Sequence, residues 1–420
     1  MSVTYLTDSD FNAIYKRQYY KLMQNIFATQ GQHWGMIRKT YGKGGDEVFA
    51  ALQHTFGGGV GSSSDGTLPN ANMEAYLEPN FTWNRVYGNV EIDGLTIEAA
   101  RKSEHAFIKV VNKATVNKML SFTRYIGGNC LFGDGTGALG QFSGNAGGSA
   151  AAPVLTVINT TGSTYGYRKG YFEVGDDVNV NTLSSVFRIT AVDHGAEQVT
   201  LSRLSGSDDL TSIGAGTHTV YMQNSKDNDP YGFLGIISNS THYSVAEQYR
   251  YAPTEVASGG AELEDEMLVE LIETFKEDTD MYPDTIVFPH YHYRTYLSLQ
   301  EDKKMNLANL SRGAGKTNIG SSKDIANVSY NGVALRHGDG QIMVTTSKFV
   351  HPGQVLCYRN NSVEFLGVGQ KPGFKNEVDG QVFLRLAGKD NYGAFLRCYG
   401  EIFINPFHVG AITGLPHKAA

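Results

Sequence analysis

The chain has 420 residues, 41% of them hydrophobic and 18% charged, with a net charge of −7. The length suggests two or three domains, the charged share is below the roughly 25% usual in soluble domains, and the negative balance excludes a protein that is basic throughout and so built to grip nucleic acid. The 49 glycines, 24 tyrosines and 21 phenylalanines favour β structure with many turns and much aromatic contact surface. Cys130, Cys357 and Cys398 are too few and too scattered for a disulfide framework and form no CxxC pair, so reduced thiols are expected. The first ten residues are polar, and no apolar run approaches the ~18 residues of a membrane span. Neither a signal-directed secretory route nor membrane insertion is expected.

Residues 8–27 predict an amphipathic helix, with Phe11, Ile14, Tyr15, Leu22 and Ile26 near one face and Thr7 or Ser9 as its cap. A loose run from Gly31 to Gly45 follows. A terminal helix this aromatic needs something to pack on, either its own body or a neighbour. Residues 47–56 predict a strand, Gly57–Gly66 a flexible tip, and Tyr76–Ile92 a long extended return carrying Phe81, Trp83, Val86, Val90 and Ile92. An isolated two-stranded hairpin is marginal in water. Such an arm is expected to lie on another molecule, with Leu68, Tyr76, Phe81 and Trp83 as candidate contact residues; a simple surface hairpin is the alternative.

Residues 96–127 carry the strongest helical periodicity, with Ile97, Ala100, Glu104, Ile108, Val111, Thr115, Met119, Phe122 and Ile126 at steps of three and four. About 30 residues at 1.5 Å each make a helix roughly 45 Å long, and Gly127-Gly128 is predicted to end it. Between residues 101 and 124 there are six basic side chains against Glu104 alone. The commonest meaning of such charge is a solvated face. The sharper one is a weakly basic surface turned toward a polyanion, with Lys102, Lys109, Lys113, Lys118 and Arg124 as its candidate residues.

Residues 141–153 read as a linker by composition. Short β runs at Val154–Ile158, Asp177–Val180, Val186–Val192, Gln198–Arg203 and Thr217–Met222 predict a small barrel or sandwich over 154–229. Residues 262–278 predict an acidic amphipathic helix whose buried stripe is Leu263, Met267, Leu268, Leu271, Ile272 and Phe275. A strand at Thr285–Phe288 and a helix at His290–Leu299 follow, and the alternation indicates a compact α/β domain. Residues 303–325 read as a loop, and Val378–Leu386, Tyr392–Ile404 and Ala411–Leu415 return to β structure.

Motifs that resemble chemistry fail on context. Gly135–Gly140 matches G-x-G-x-x-G but follows a long helix and precedes a linker, where a dinucleotide site needs strand before and helix after. Gly313–Thr317 lacks the phosphate loop's leading glycine, since Leu310 stands there. His290 and His292, two apart on a helix, do not share a face, and no carboxylate–histidine set completes a metal site. Asn159-Thr160-Thr161 and Asn239-Ser240-Thr241 are glycosylation sequons without an evident secretory route. No catalytic residue, cofactor or metal ligand is assigned, and the chain is expected not to be an enzyme.

The order of parts resembles the major capsid proteins of tailed bacteriophages, whose fold is named for phage Hong Kong 97. Residues that carry the resemblance are Asp65–Pro69 for the extended-loop tip, Val86–Gly94 with Ile97–Ala99 for the return strand entering the spine helix, and Leu131–Gly137 for the turn after it. Tyr282–Val287, Gly388–Tyr392, Tyr399–Glu401 and Asn405–Phe407 resemble the axial step and the closing strands. The resemblance implies an α+β fold in six parts: N-terminal arm 1–45, extended loop 46–92, peripheral domain with spine helix 93–150, β-rich insertion 151–230, axial domain 231–375, and returning peripheral strands 376–420. It implies pentamers and hexamers of an icosahedral virion shell assembled in the host bacterial cytoplasm. Non-specific contact with packaged double-stranded DNA along the spine helix and partnership with a portal and a decoration protein would follow. An arm beginning almost at Met1 implies a separate scaffolding protein or earlier processing. Some relatives cross-link through a lysine of the extended loop; here no lysine lies between Lys43 and Lys102, so no such bond is expected. The rival readings are an encapsulin-type shell, and a β-rich enzyme or carbohydrate-binding protein using 154–229.

Overall fold

A computed structural model describes residues 32–45, 47–62, 66–95, 117–181, 183–299, 333–337, 340–368, 373–374, 384–385 and 390–417. The helix predicted at 8–27, the loop at 303–325 and most of the helix predicted at 96–127 lie outside these residues.

The longest strand, Asn391–Ile404, is rich in aromatic and aliphatic residues and organises a six-stranded sheet. One of its edges pairs antiparallel with Asn84–Asp93, from Asn391 opposite Asp93 to Gly400 opposite Asn84. The other takes Val363–Val368, which in turn carries Arg38–Lys43 in parallel. Alternation along Asn84–Asp93 buries Val86, Val90 and Ile92, as period-2 side-chain geometry requires. Gly88 sits where the sheet meets the helix at 117–124: a Cβ there would lie 3.3 Å from both Leu396 and Phe122.

The run from Gly31 to Gly45 is not loose where it is described. Gln32–Met36 is a short helix and Arg38–Lys43 a strand. His33 and Ile37 are buried, and Trp34 packs edge-on at 5.1 Å against Phe365. This part of the N-terminal arm rests on its own body.

Gly127-Gly128 does not end the helix. Residues 117–124 continue into a buried π-helix, Tyr125–Cys130. A Cβ on Gly127 would come within 2.7 Å of Trp34, and one on Gly128 within 2.4 Å of Phe349. The pair is there for close approach, a role that local sequence does not reveal.

A seven-stranded antiparallel sheet occupies residues 138–222, in the order Ala138–Ser143, Thr217–Met222, Asp177–Val180, Val186–Asp193, Gln198–Ser205, Ala152–Thr156, Gly147–Ser149. The linker expected at 141–153 is therefore largely strand, its small residues serving turns and edge pairs. Val178, Val180, Phe187, Ile189, Val199, Leu201 and Val220 alternate into the buried face. The Ile158 N–H donates to the Gln141 carbonyl at 2.7 Å, so the sheet curls back on itself.

The third large sheet runs Thr254–Ala257, Val409–Thr413, Val355–Tyr358, Thr285–Phe288, Gly340–Thr346, Val333–His337. Helix Asp265–Thr279 lays Leu268, Leu271, Ile272 and Phe275 on it. Its first turn carries Asp265 and Glu266, which suits the helix dipole, and it ends at Asp280 in left-handed conformation (φ 58°). The final strand, Val409–Thr413, belongs to this α/β sheet rather than to the sheet of Asn391–Ile404. Conversely, Val363–Val368, expected in the axial part, pairs with Asn391–Ile404. Sheet membership depends on non-local pairing, which strand propensity alone cannot choose.

Candidate assembly interface

Two short ladders build a projecting arm. Glu47–Phe49 pairs with Asn80–Thr82, and Leu52–Thr55 with Ala75–Leu77. Between them the Ala50 N–H donates to the Pro79 carbonyl at 3.1 Å. Beyond the second ladder the two chains still run side by side: a Cβ on Gly57 would lie 2.8 Å from the Asn72 carbonyl oxygen, and one on Gly59 (φ 96°) 3.2 Å from the Ala71 Cα. These glycines admit close backbone approach and a left-handed turn, which is a stricter requirement than the flexibility read from composition.

Along this arm the apolar side chains have little to cover them. Relative exposures are 70% for Phe56, 97% for Val60, 86% for Leu68, 89% for Met73 and 56% for Tyr76. Single exposed apolar residues are ordinary, but here five lie along an element that has little core of its own. Of the candidate contact set, Leu68 and Tyr76 are exposed on this arm. Phe81 is not: it is 6% exposed, packed 5.5 Å from Tyr243, 5.9 Å from Phe403 and 6.4 Å from Trp83 within its own chain. Trp83 is half-buried, and its indole N–H donates to the Gly45 carbonyl at 2.6 Å. Both side chains pack at the arm's root within their own chain.

The root is fixed by polar contacts as well. The Asn80 N–H donates to the Tyr243 carbonyl at 2.9 Å. Asn84 Nδ2 donates to Glu401 Oε2 at 2.6 Å and to the Asp229 carbonyl at 3.0 Å. Glu401 also accepts the Tyr231 and Ile402 N–H groups at 2.7 and 3.0 Å. Burial nevertheless dominates and pushes the Glu401 carboxyl up to about 8; it likewise raises Asp229, which accepts the Tyr125 hydroxyl at 2.7 Å, to about 7. From sequence Glu401 is legible only as part of the closing-strand motif Tyr399–Glu401. The available signal for its burial was a lone carboxylate inside Asn391–Ile404, a strand made mostly of aromatic and aliphatic residues.

The basic-surface set divides. Lys102, Lys109 and Lys113 lie outside the described residues, and Lys118 is half-buried. Arg124 is 3% exposed, paired with Glu173 at 3.3 Å and with Asp176, both from the turn before strand Asp177–Val180. It fastens the insertion sheet to the helix end and is not turned toward any polyanion. The pairing needs residues some fifty positions apart, so nothing near Arg124 announces it.

Gly135–Gly140 leads from a turn into strand Ala138–Ser143, and a Cβ on Gly137 would lie 2.3 Å from the Ser225 carbonyl oxygen; no helix follows to offer its N-terminus to a phosphate. Among the described residues, no group of three His, Cys, Asp or Glu side chains is arranged to hold a metal, and no helix is long and apolar enough to cross a membrane. Cys130, Cys357 and Cys398 are buried and joined by no disulfide.

No family model and no curated protein sequence matches the chain. Among solved structures it is similar to the cyanophage A-1(L) capsid asymmetric unit, at 9% identity and TM-score 0.52, covering 96% of this chain and 97% of that one. It is also similar to the capsid of the native GTA particle (7%, 0.46, 99% and 100%) and to the satellite phage P4 procapsid including size determination protein (9%, 0.39, 98% and 97%). On the first of these, the chain has the Hong Kong 97-type α+β fold of tailed-phage capsid subunits.

Proposed function

We propose that this chain, having the fold of a tailed-phage capsid subunit, is a major capsid protein. Its copies assemble as pentamers and hexamers into an icosahedral head around double-stranded DNA. The observation that carries the proposal is the arm between Glu47 and Thr82. Its root is welded to the body, while Phe56, Val60, Leu68, Met73 and Tyr76 are presented to solvent. Closed symmetry supplies every arm with an equivalent receiving surface on a sister chain. Many moderate contacts of about 1,600 Å² each then add up around the shell.

In this reading a portal and a scaffolding protein act with the chain during assembly in the bacterial cytoplasm, and the seven-stranded sheet is the natural place for a decoration protein. DNA contact along the spine helix falls to Lys102, Lys109, Lys113 and Lys118, without Arg124. The test is electron microscopy of the chain expressed with its scaffold. Closed shells containing nucleic acid support the reading. Shells without nucleic acid point to an encapsulin-type compartment, and a persistent monomer rejects both. Deleting residues 57–75 should leave a soluble subunit and no stable shells, and shells at normal yield would overturn the arm's role.

A further inference from the structure

Three buried histidines meet where the seven-stranded sheet joins the rest of the molecule, away from the arm. The segment 157–172 leaves strand Ala152–Thr156 and crosses onto the turn 351–353 and the chain end at 415–417. Direct contact is enforced there: a Cβ on Gly166 would lie 2.4 Å from Pro352, and one on Gly353 would lie 2.7 Å from His417 Nε2.

The hydrogen bonds fit neutral imidazoles. Backbone N–H groups aim at both ring nitrogens of His351, Gly353 at Nδ1 (3.2 Å) and Gly166 at Nε2 (3.3 Å), and Nε2 also lies 3.1 Å from the Ser163 carbonyl. His417 lies edge-on to it, 5.1 Å between ring centroids, and its Nδ1 donates to Asn159 Oδ1 at 3.1 Å. Asn159 is itself held by the Tyr167 N–H at 3.1 Å and by Glu197 at 2.7 Å. His292, fully buried, donates from Nε2 to the Pro352 carbonyl at 3.0 Å, and the Pro416 carbonyl also faces its ring. Beside them Arg168 is fully buried against the Tyr171 ring at 4.4 Å and donates to the Phe132 carbonyl at 3.2 Å.

We propose that this junction is an acid-opened latch: neutral His292, His351 and His417 hold the 157–172 crossover of the seven-stranded sheet against the body, and protonating them releases it. A proton on His351 Nδ1 would face the Gly353 N–H. Each new charge would also meet like charge, since Arg168 faces His351 and His417, and His292 faces His417. The nearby carboxylates are Glu262 toward His292 and Glu197 behind Asn159. Burial first, then Arg168 and His417, holds His351 well below the imidazole range; burial, then His292 and Arg168, pushes His417 to about 4; burial also lowers His292. Because these folded-state values lie below the unfolded value of about 6.5, the stabilisation is complete above that pH and is lost as pH falls toward about 4. Opening is local, because each sheet keeps its own ladder of hydrogen bonds. The latch does not depend on the chain forming a shell.

Amide hydrogen exchange on the purified full chain, corrected for intrinsic pH dependence, tests it. Segments 157–170 and 349–354 should lose protection together, at least tenfold, as pH falls from 6 to 4.5, while 268–275 and 394–402 keep theirs. His351→Gln and His417→Asn keep a hydrogen-bonding amide but cannot charge, and each should move the midpoint at least half a pH unit lower. Simultaneous loss of protection everywhere, no loss at the junction, or a midpoint unmoved in whichever variants fold would each overturn the latch. The order of loss in the unsubstituted chain tests it even if neither variant folds.

Discussion

Replacing Leu68 and Met73 together by serine should leave the subunit intact and abolish its assembly. Both side chains are almost fully exposed in the single chain, at 86% and 89%, so each change should alter folding stability by less than about 0.5 kcal/mol. Docking on a sister chain is another matter. Full burial of a leucine or methionine contributes about 1.5–3 kcal/mol, hence about 3–6 kcal/mol for the pair. Ordering costs of about 0.5–1.5 kcal/mol per side chain, about 1–3 for the two, leave roughly 2–3 kcal/mol. At 1.4 kcal/mol per decade, each arm contact should weaken roughly 30- to 150-fold, multiplied around a closed shell. Differential scanning fluorimetry should find Tm within about 2–4 °C of the unsubstituted subunit, and electron microscopy should find no shells. Shells at normal yield, or a subunit that melts far lower, would show that these side chains are not a docking surface.

Phe81→Ala should behave in the opposite way, because Phe81 is packed inside its own chain by Tyr243, Phe403 and Trp83. A loss of about 3–5 kcal/mol in urea unfolding of the subunit is expected, and an unchanged midpoint would contradict the root packing. Burial raises Glu401 to about 8 and Asp229 to about 7, above unfolded values of about 4. Their contribution is therefore complete near pH 4 and declines as pH rises through 7 to 8. The chain should melt lower at pH 9 than at pH 6, and Glu401→Gln should flatten that slope; a slope unaffected by the substitution would reject the assignment. Intact particles boiled in denaturant should release single chains by gel electrophoresis, because no lysine lies between Lys43 and Lys102. A covalent ladder would contradict this.

What the amino-acid sequence determined by itself was whatever depends on neighbours along the chain. The acidic amphipathic helix is legible because Leu268, Leu271, Ile272 and Phe275 repeat at helical spacing, and it is found at Asp265–Thr279. The strands from Asp177–Val180 to Thr217–Met222 are legible because apolar alternation and turn residues are local signals. The arm is legible for a negative reason: its residues lack the density of apolar side chains that a core requires. Tertiary structure decided the rest. It placed Val409–Thr413 beside Thr254–Ala257 and Val355–Tyr358, buried Phe81, gave Arg124 to Glu173 and Asp176, and used Gly127-Gly128 for packing inside a π-helix. It also brought His292, His351 and His417 together from separate parts of the chain. A strand carries no mark of the sheet it joins, and a charge carries none of its distant partner. Those choices are made by the packing of surfaces that meet only after the chain has folded.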